Sequence, residues 1–68
     1  MIKLDQFLKF LGMASTGGQA KWMIVDGEVE VNGILETRRG RKLVDDDLVT
    51  IGGQTFQVGE IISKSTDS

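Results

Sequence analysis

The chain contains no cysteine and no histidine. Without cysteine there is no disulfide and no thiolate metal site. Without histidine the chain lacks the commonest general base and the commonest transition-metal ligand. Tyrosine is absent as well, and Trp22 is the sole tryptophan. No apolar run approaches the roughly 20 residues of a membrane-spanning helix. Residues 1 to 5 do not form a charged leader followed by a long apolar stretch, so no signal peptide is expected and the cytoplasm is the expected location. No carboxylate pair suggests a catalytic pocket, and neither a catalytic residue nor a cofactor or metal is expected.

At 68 residues there is room for one domain. We place it at residues 1–62, with a polar, frayed tail at 63–68. A domain of this size buries a modest share of its surface, so its core is thin. With 8 basic and 10 acidic residues the net charge is −2, whereas nucleic-acid binders usually carry a positive sum. Distribution matters more than the sum. Four of the 8 cations lie in Arg38-Arg39-Gly40-Arg41-Lys42, while acids collect at Asp26, Glu28, Glu30 and Asp45-Asp46-Asp47.

Leu4, Phe7, Leu8 and Leu11 follow i, i+3, i+4, i+7 spacing, which predicts a helix stopped at Gly12. Phe10 lies off that stripe, free to meet a second element. Thr16-Gly17-Gly18-Gln19 fits a capping box, with Ser15 the rival cap, and opens a helix over about 17 to 26. Its narrow apolar face is Ala20, Met23 and Ile24, and Gly27 suits the left-handed residue that ends many helices. The period then changes to two. Glu28 to Asn32 alternates as a strand does, Asn32-Gly33 signals a tight hairpin, and Ile34 to Thr37 returns. A basic loop at 38–42 follows. Leu48 to Ile51, Gly52-Gly53 and Gln54 to Val58 predict a second hairpin. Ile61 and Ile62 add a short strand or pack on the core. The expected class is α+β, with two N-terminal helices on a small antiparallel sheet.

Several features admit two readings. Four clustered cations repel one another, and a phosphate backbone would relieve that repulsion. Arginine suits phosphate, because its planar fork donates two hydrogen bonds to one group. Gly40 would let the backbone turn sharply and approach a ligand. The alternative is a solvated loop balanced by the acids downstream. Lys21 points away from the apolar face of its helix, as a phosphate contact or as an ordinary surface lysine. Gly17-Gly18 offers amides at the positive end of a helix, or merely a tight turn. Trp22 stacks on a base or covers the edge of the core, and the burial habits of aromatics favour the second. Asp45 to Asp47 is a turn rather than a metal site, since consecutive acids on a strand point in alternating directions. Asp47 is placed to orient Arg41 or Lys42.

The order of these motifs resembles a known family. A helix opening Gly-Gly-Gln-Ala-Lys-Trp, a Val-Asn-Gly hairpin, Glu-Thr-Arg-Arg-Gly-Arg-Lys-Leu and an Asp-Asp-Leu-Val strand look like the S-four-type RNA-binding domain, also called the alpha-L motif. The likeness covers about residues 2 to 58 and is closest to the small stand-alone bacterial members, the YaaA/YbcJ-like proteins. Where that family usually has Gly-Asp before its penultimate strand, this chain has Asp46-Asp47, and Asp tolerates a left-handed turn. The resemblance implies two helices on a small sheet, with the second helix and the adjoining loop contacting structured RNA. It thereby implicates Gln19, Lys21, Asn32, Gly33, Arg38, Arg39, Arg41 and Lys42. The expected function is non-catalytic binding of structured RNA, ribosomal RNA foremost, in ribosome assembly or translation. The expected partners are such RNA and ribosomal particles, the chain acting as a monomer away from membranes. A protein-interaction module docking by its hairpin edge or its Trp22 face is the alternative.

Overall fold

The computed structural model describes residues 2–66. The elements run β1 (Ile2–Lys3), α1 (Leu4–Phe10), α2 (Gly17–Val25), β2 (Val29–Val31), β3 (Ile34–Leu35), β4 (Lys42–Leu43), β5 (Leu48–Ile51), β6 (Gln54–Gln57) and α3 (Val58–Thr66). The class is α+β, as expected. Strands β3-β2-β5-β6 form an antiparallel sheet, and β1 pairs with β4 in a separate ribbon.

Helices α1 and α2 close over one face of the larger sheet. Leu4, Phe7 and Leu8 of α1 and Ala20 and Ile24 of α2 are buried, and they meet Val29, Val31, Val49 and Ile51 of the sheet in one cluster. Each fully buried aliphatic or aromatic side chain contributes about 1.5–3 kcal/mol. Thr16 caps α2, its Oγ1 accepting from the Gln19 amide at 3.1 Å. The Gln19 side chain completes the box one residue further back than expected, accepting from the Ser15 amide at 2.8 Å rather than from Thr16.

Both hairpins turn as their sequences predict. Asn32 and Gly33 have φ of 56° and 79°, and Gly52 and Gly53 have 61° and 79°, the paired left-handed conformations that match strand twist. Among the described residues Asn32 is the only non-glycine with positive φ, so Asp46 makes its turn without the left-handed conformation invoked for it.

Four expectations need correction. The returning arm ends at Leu35, and Glu36 turns inward and is buried. Lys42 is strand rather than loop, because Lys3 and Ile2 pair with Lys42 and Leu43. Residues 58–66 form a helix: Ile61 and Ile62 pack against the core as helical residues, and α3 carries the chain through Thr66 where a frayed tail was expected. The remainder of that tail, residues 67 and 68, lies outside the described residues. Phe10 does meet other elements, lining a groove with Ile2, Leu43, Val58 and Ile62.

Candidate nucleic-acid interface

The basic loop is held in shape from three sides. From below, the free amides at the start of α1 take its carbonyls: Leu4 N donates to Arg41 O at 2.8 Å and Asp5 N to Arg39 O at 3.1 Å. These amides have no partner within their own helix, so the loop acts as the cap. At the far end, β4 leaves the loop already paired to β1.

From within, Glu36 gathers the arginines. Its Oε2 accepts from the Arg38 amide at 3.2 Å and from Arg38 Nε at 3.1 Å. Its Oε1 accepts from Arg38 Nη2 at 3.3 Å and from Arg41 Nη1 at 2.7 Å. The Arg38 fork, then Arg41, hold the Glu36 carboxyl at about 2, well under its ordinary 4.5, although burial works the other way. The same contact raises Arg38 further above its ordinary range. Arg38 nonetheless keeps a side chain 76% exposed, against 30% for Arg41.

The acid expected to orient Arg41 was Asp47; the structure gives that task to Glu36. Asp47 is buried and turned inward. Its Oδ2 accepts from the Val44 amide at 2.9 Å and its Oδ1 from Asn32 Nδ2 at 3.0 Å. The Val44 amide foremost, with Asn32 and the nearby charge of Arg41 adding, lowers its carboxyl against the cost of burial. One member of the acid triplet is thus turned away from solvent.

The cations are distributed over two shallow concavities that share the loop. Arg38, Gly40, Arg41 and Lys42 line one. Arg39 turns the other way and, with Gly18, Lys21, Trp22 and Val25, lines a groove of about 440 Å³ between α2 and the loop. Of the basic run, Arg39 is thus the residue that shares a groove with Lys21, while Arg38, Arg41 and Lys42 line the other concavity. Among the described residues Lys21, Arg39 and Lys42 form no ion pair. Gly40 has no positive φ, and a Cβ there would meet open space, so it leaves room above the loop without making a special turn.

Four residues stand differently from the expectation. Asn32 is exposed, but its side-chain amide is engaged within the protein: Nδ2 donates to Asp47, and Oδ1 accepts from Leu48 N at 2.9 Å, locking the β2–β3 turn to β5. Gly33 serves the same turn and lines neither concavity. Gln19 uses its oxygen on the cap, though its side chain remains exposed. Trp22 does not cover the core edge. It is 68% exposed, because it sits about 200° around the helix from Ala20 and the buried face is only Ala20 and Ile24 wide.

Glu36 was missed from the sequence as the organiser of the loop. Its signal was the single acid two residues ahead of Arg38, closer to the run than any Asp of the triplet. Among the described residues no group of three or more His, Cys, Asp or Glu converges as metal ligands would, and no helix is long and apolar enough to cross a membrane.

Comparison with known proteins shows the family of the chain. A family model described as S4 domain matches residues 1–59. The chain is 49% identical over 59 residues to RlbA, a probable ribosome maturation protein of Bacillus subtilis (strain 168), a match covering 85% of this chain and 83% of the relative. It is 39% identical over 57 residues to YbcJ, a putative RNA-binding protein of Escherichia coli (strain K12), covering 84% and 81%. With its two helices, hairpins and loop in the order expected, the chain belongs to the S4 domain family.

Proposed function

We infer that the protein is a non-catalytic RNA-binding protein that holds structured RNA, ribosomal RNA foremost, and acts in ribosome maturation or assembly. One observation carries this reading. In a chain of net charge −2, Lys21 of α2 and Arg39 line one groove and Lys42 lines the neighbouring concavity on the same loop, and among the described residues none of the three is paired to an acid. Such charges gain most from a phosphate backbone, which releases its counterions when they bind. Arg38 and Arg41 stand beside them, held in fixed orientations by Glu36. The printed names of the two relatives, ribosome maturation and RNA binding, point the same way.

A filter-binding titration of folded ribosomal RNA at several salt concentrations tests the reading. About four phosphate contacts give a log–log slope of about −3. Changing Lys21, Arg39 and Lys42 together to Ala leaves the Glu36 pairs intact and should lower the magnitude of the slope by about 2–3. Binding that ignores salt, or none at low salt, defeats the reading.

A second reading has one observation in its favour. Ile34 and Leu35 of β3, at the edge of the sheet, are 70% and 56% exposed, and an unpaired apolar edge is a surface to which another chain can add. Capture of a partner protein that survives nuclease and is lost in Ile34→Lys would favour docking there.

A further inference from the structure

Trp22 is the largest of the exposed apolar side chains and lies outside the core cluster. Val25, nearly one turn along α2, is 50% exposed beside it. The groove they share is closed on its rim by Lys21 and Arg39, neither of which has an ion-pair partner among the described residues. Gly18 lies four residues before Trp22, on the same side of the helix. A Cβ at Gly18 would meet only Thr16 Oγ1, at 3.9 Å, so packing does not require glycine there. Its missing side chain leaves the space next to the indole open.

We propose that this groove is a nucleobase site, in which an unpaired base stacks on Trp22 while Lys21 and Arg39 hold the flanking phosphates. The proposal rests on the RNA-binding reading and names the form of RNA that the site takes. The warrant is the combination of groups. A flat aromatic face and an apolar neighbour suit a base, whose π-face stacks without regard to sequence. Two unpaired cations suit the anions attached to it. An apolar protein segment would satisfy Trp22 and Val25 but leave Lys21 and Arg39 desolvated without partners, which is costly. A base inside a duplex has both faces covered, so only a nucleotide splayed out at a bulge, loop or end offers one to the indole.

Because Trp22 is the sole tryptophan and there is no tyrosine, intrinsic fluorescence reports this groove alone. The probes are an RNA stem-loop with one bulged adenosine and the same stem-loop with the bulge deleted. Binding is read for the full chain and for Trp22→Leu and Trp22→Phe, and indole fluorescence for the full chain, which alone keeps the indole. Exposure of Trp22 means that neither variant disturbs the core. The bulged RNA should quench the indole and bind about tenfold more tightly than the paired one. Trp22→Leu, which keeps apolar area but loses the flat face, should abolish that difference. Trp22→Phe should keep most of it. Equal binding of the two RNAs without quenching, while Lys21, Arg39 and Lys42 still carry salt-dependent affinity, overturns the nucleobase site and leaves the RNA reading standing. Equal loss of both RNAs in Trp22→Leu overturns it as well. If Trp22→Leu releases the protein from ribosomal particles but leaves RNA affinity untouched, the indole meets a protein and the proposal fails. No binding of either RNA at low salt removes the RNA reading itself, and the site with it.

Discussion

Glu36 takes three hydrogen bonds from Arg38 and one from Arg41, so two of the loop's four positive charges are engaged before any ligand arrives. A bare cluster of like charges would splay apart in water; here a buried carboxylate ties the guanidiniums of Arg38 and Arg41 together, while Arg39 and Lys42 form no ion pair among the described residues. The carboxyl titrates near 2 in the folded chain and near 4.5 when unfolded. Its contribution to stability is therefore full above about pH 4.5 and lost as pH falls from there toward 2. Asp47, also lowered, acts in the same direction. Glu36→Gln should cost on the order of 1 kcal/mol at neutral pH, since Arg38 is largely exposed. It should also flatten the acid limb of a plot of melting temperature against pH. A variant whose acid limb matches the parent's would show that Glu36 does not stabilise the fold in this way. The pairing was hard to read from the sequence because Glu36 was assigned to a strand with its side chain on an alternating face. Burial at the strand's end overrides that alternation.

At the scale of elements, hairpins were legible and short pairings were not. Asn-Gly and Gly-Gly announce their turns because few other residues take two successive positive φ values. The stripes of α1 and α2 likewise follow from period alone. The two-residue strands β1 and β4 carry no period that could reveal them, and their pairing joins distant parts of the chain. The third helix had a signal: Val58, Ile61 and Ile62 stand at i, i+3, i+4. The strand before it runs into Val58 without a break, which hid the change of period. This helix is seated on the acidic turn, with Val58 N donating to Asp47 O and Gly59 N to Asp45 O, each at 3.0 Å. The seat is close: a Cβ on Gly59 would lie 2.8 Å from Asp45 Cβ and 3.1 Å from its carbonyl oxygen. Gly59→Ala should cost about 1–3 kcal/mol by overpacking, read by chemical denaturation. Gly40→Ala, where a methyl meets open space, should stay within about 0.5 kcal/mol of the parent.

For the molecule as a whole, formal charge misleads. Two of the ten acids, Glu36 and Asp47, are buried and engaged, so the sum of −2 understates how positive the loop surface is. The candidate site was legible to the extent that it is a run of cations. Its shape was not, since shape comes from α1 and β1, which contribute none of the residues implicated by resemblance. A fragment of residues 17–57 contains Trp22, Lys21 and the entire basic run. It lacks the α1 amides that hold the carbonyls of Arg39 and Arg41 and the strand that pairs with β4. We expect it to bind RNA only at the weak level of charge alone, roughly 10⁻⁴–10⁻⁶ M by analogy with non-specific DNA binding, and to lack the circular dichroism of the full chain. Tight, selective binding by the fragment would contradict this account of the loop.

The pairing of Ile2 with Leu43 also has a consequence in time. As the chain is synthesised, β1 is made before its partner β4, whose Lys42 ends the basic run. Until Leu43 has left the ribosome, the cations are a flexible polycation at the mouth of a particle rich in RNA. Only afterwards can the ends join and the loop take its form. Contacts of such sequence separation form late and slowly, so through that interval the loop's cations have no fixed positions.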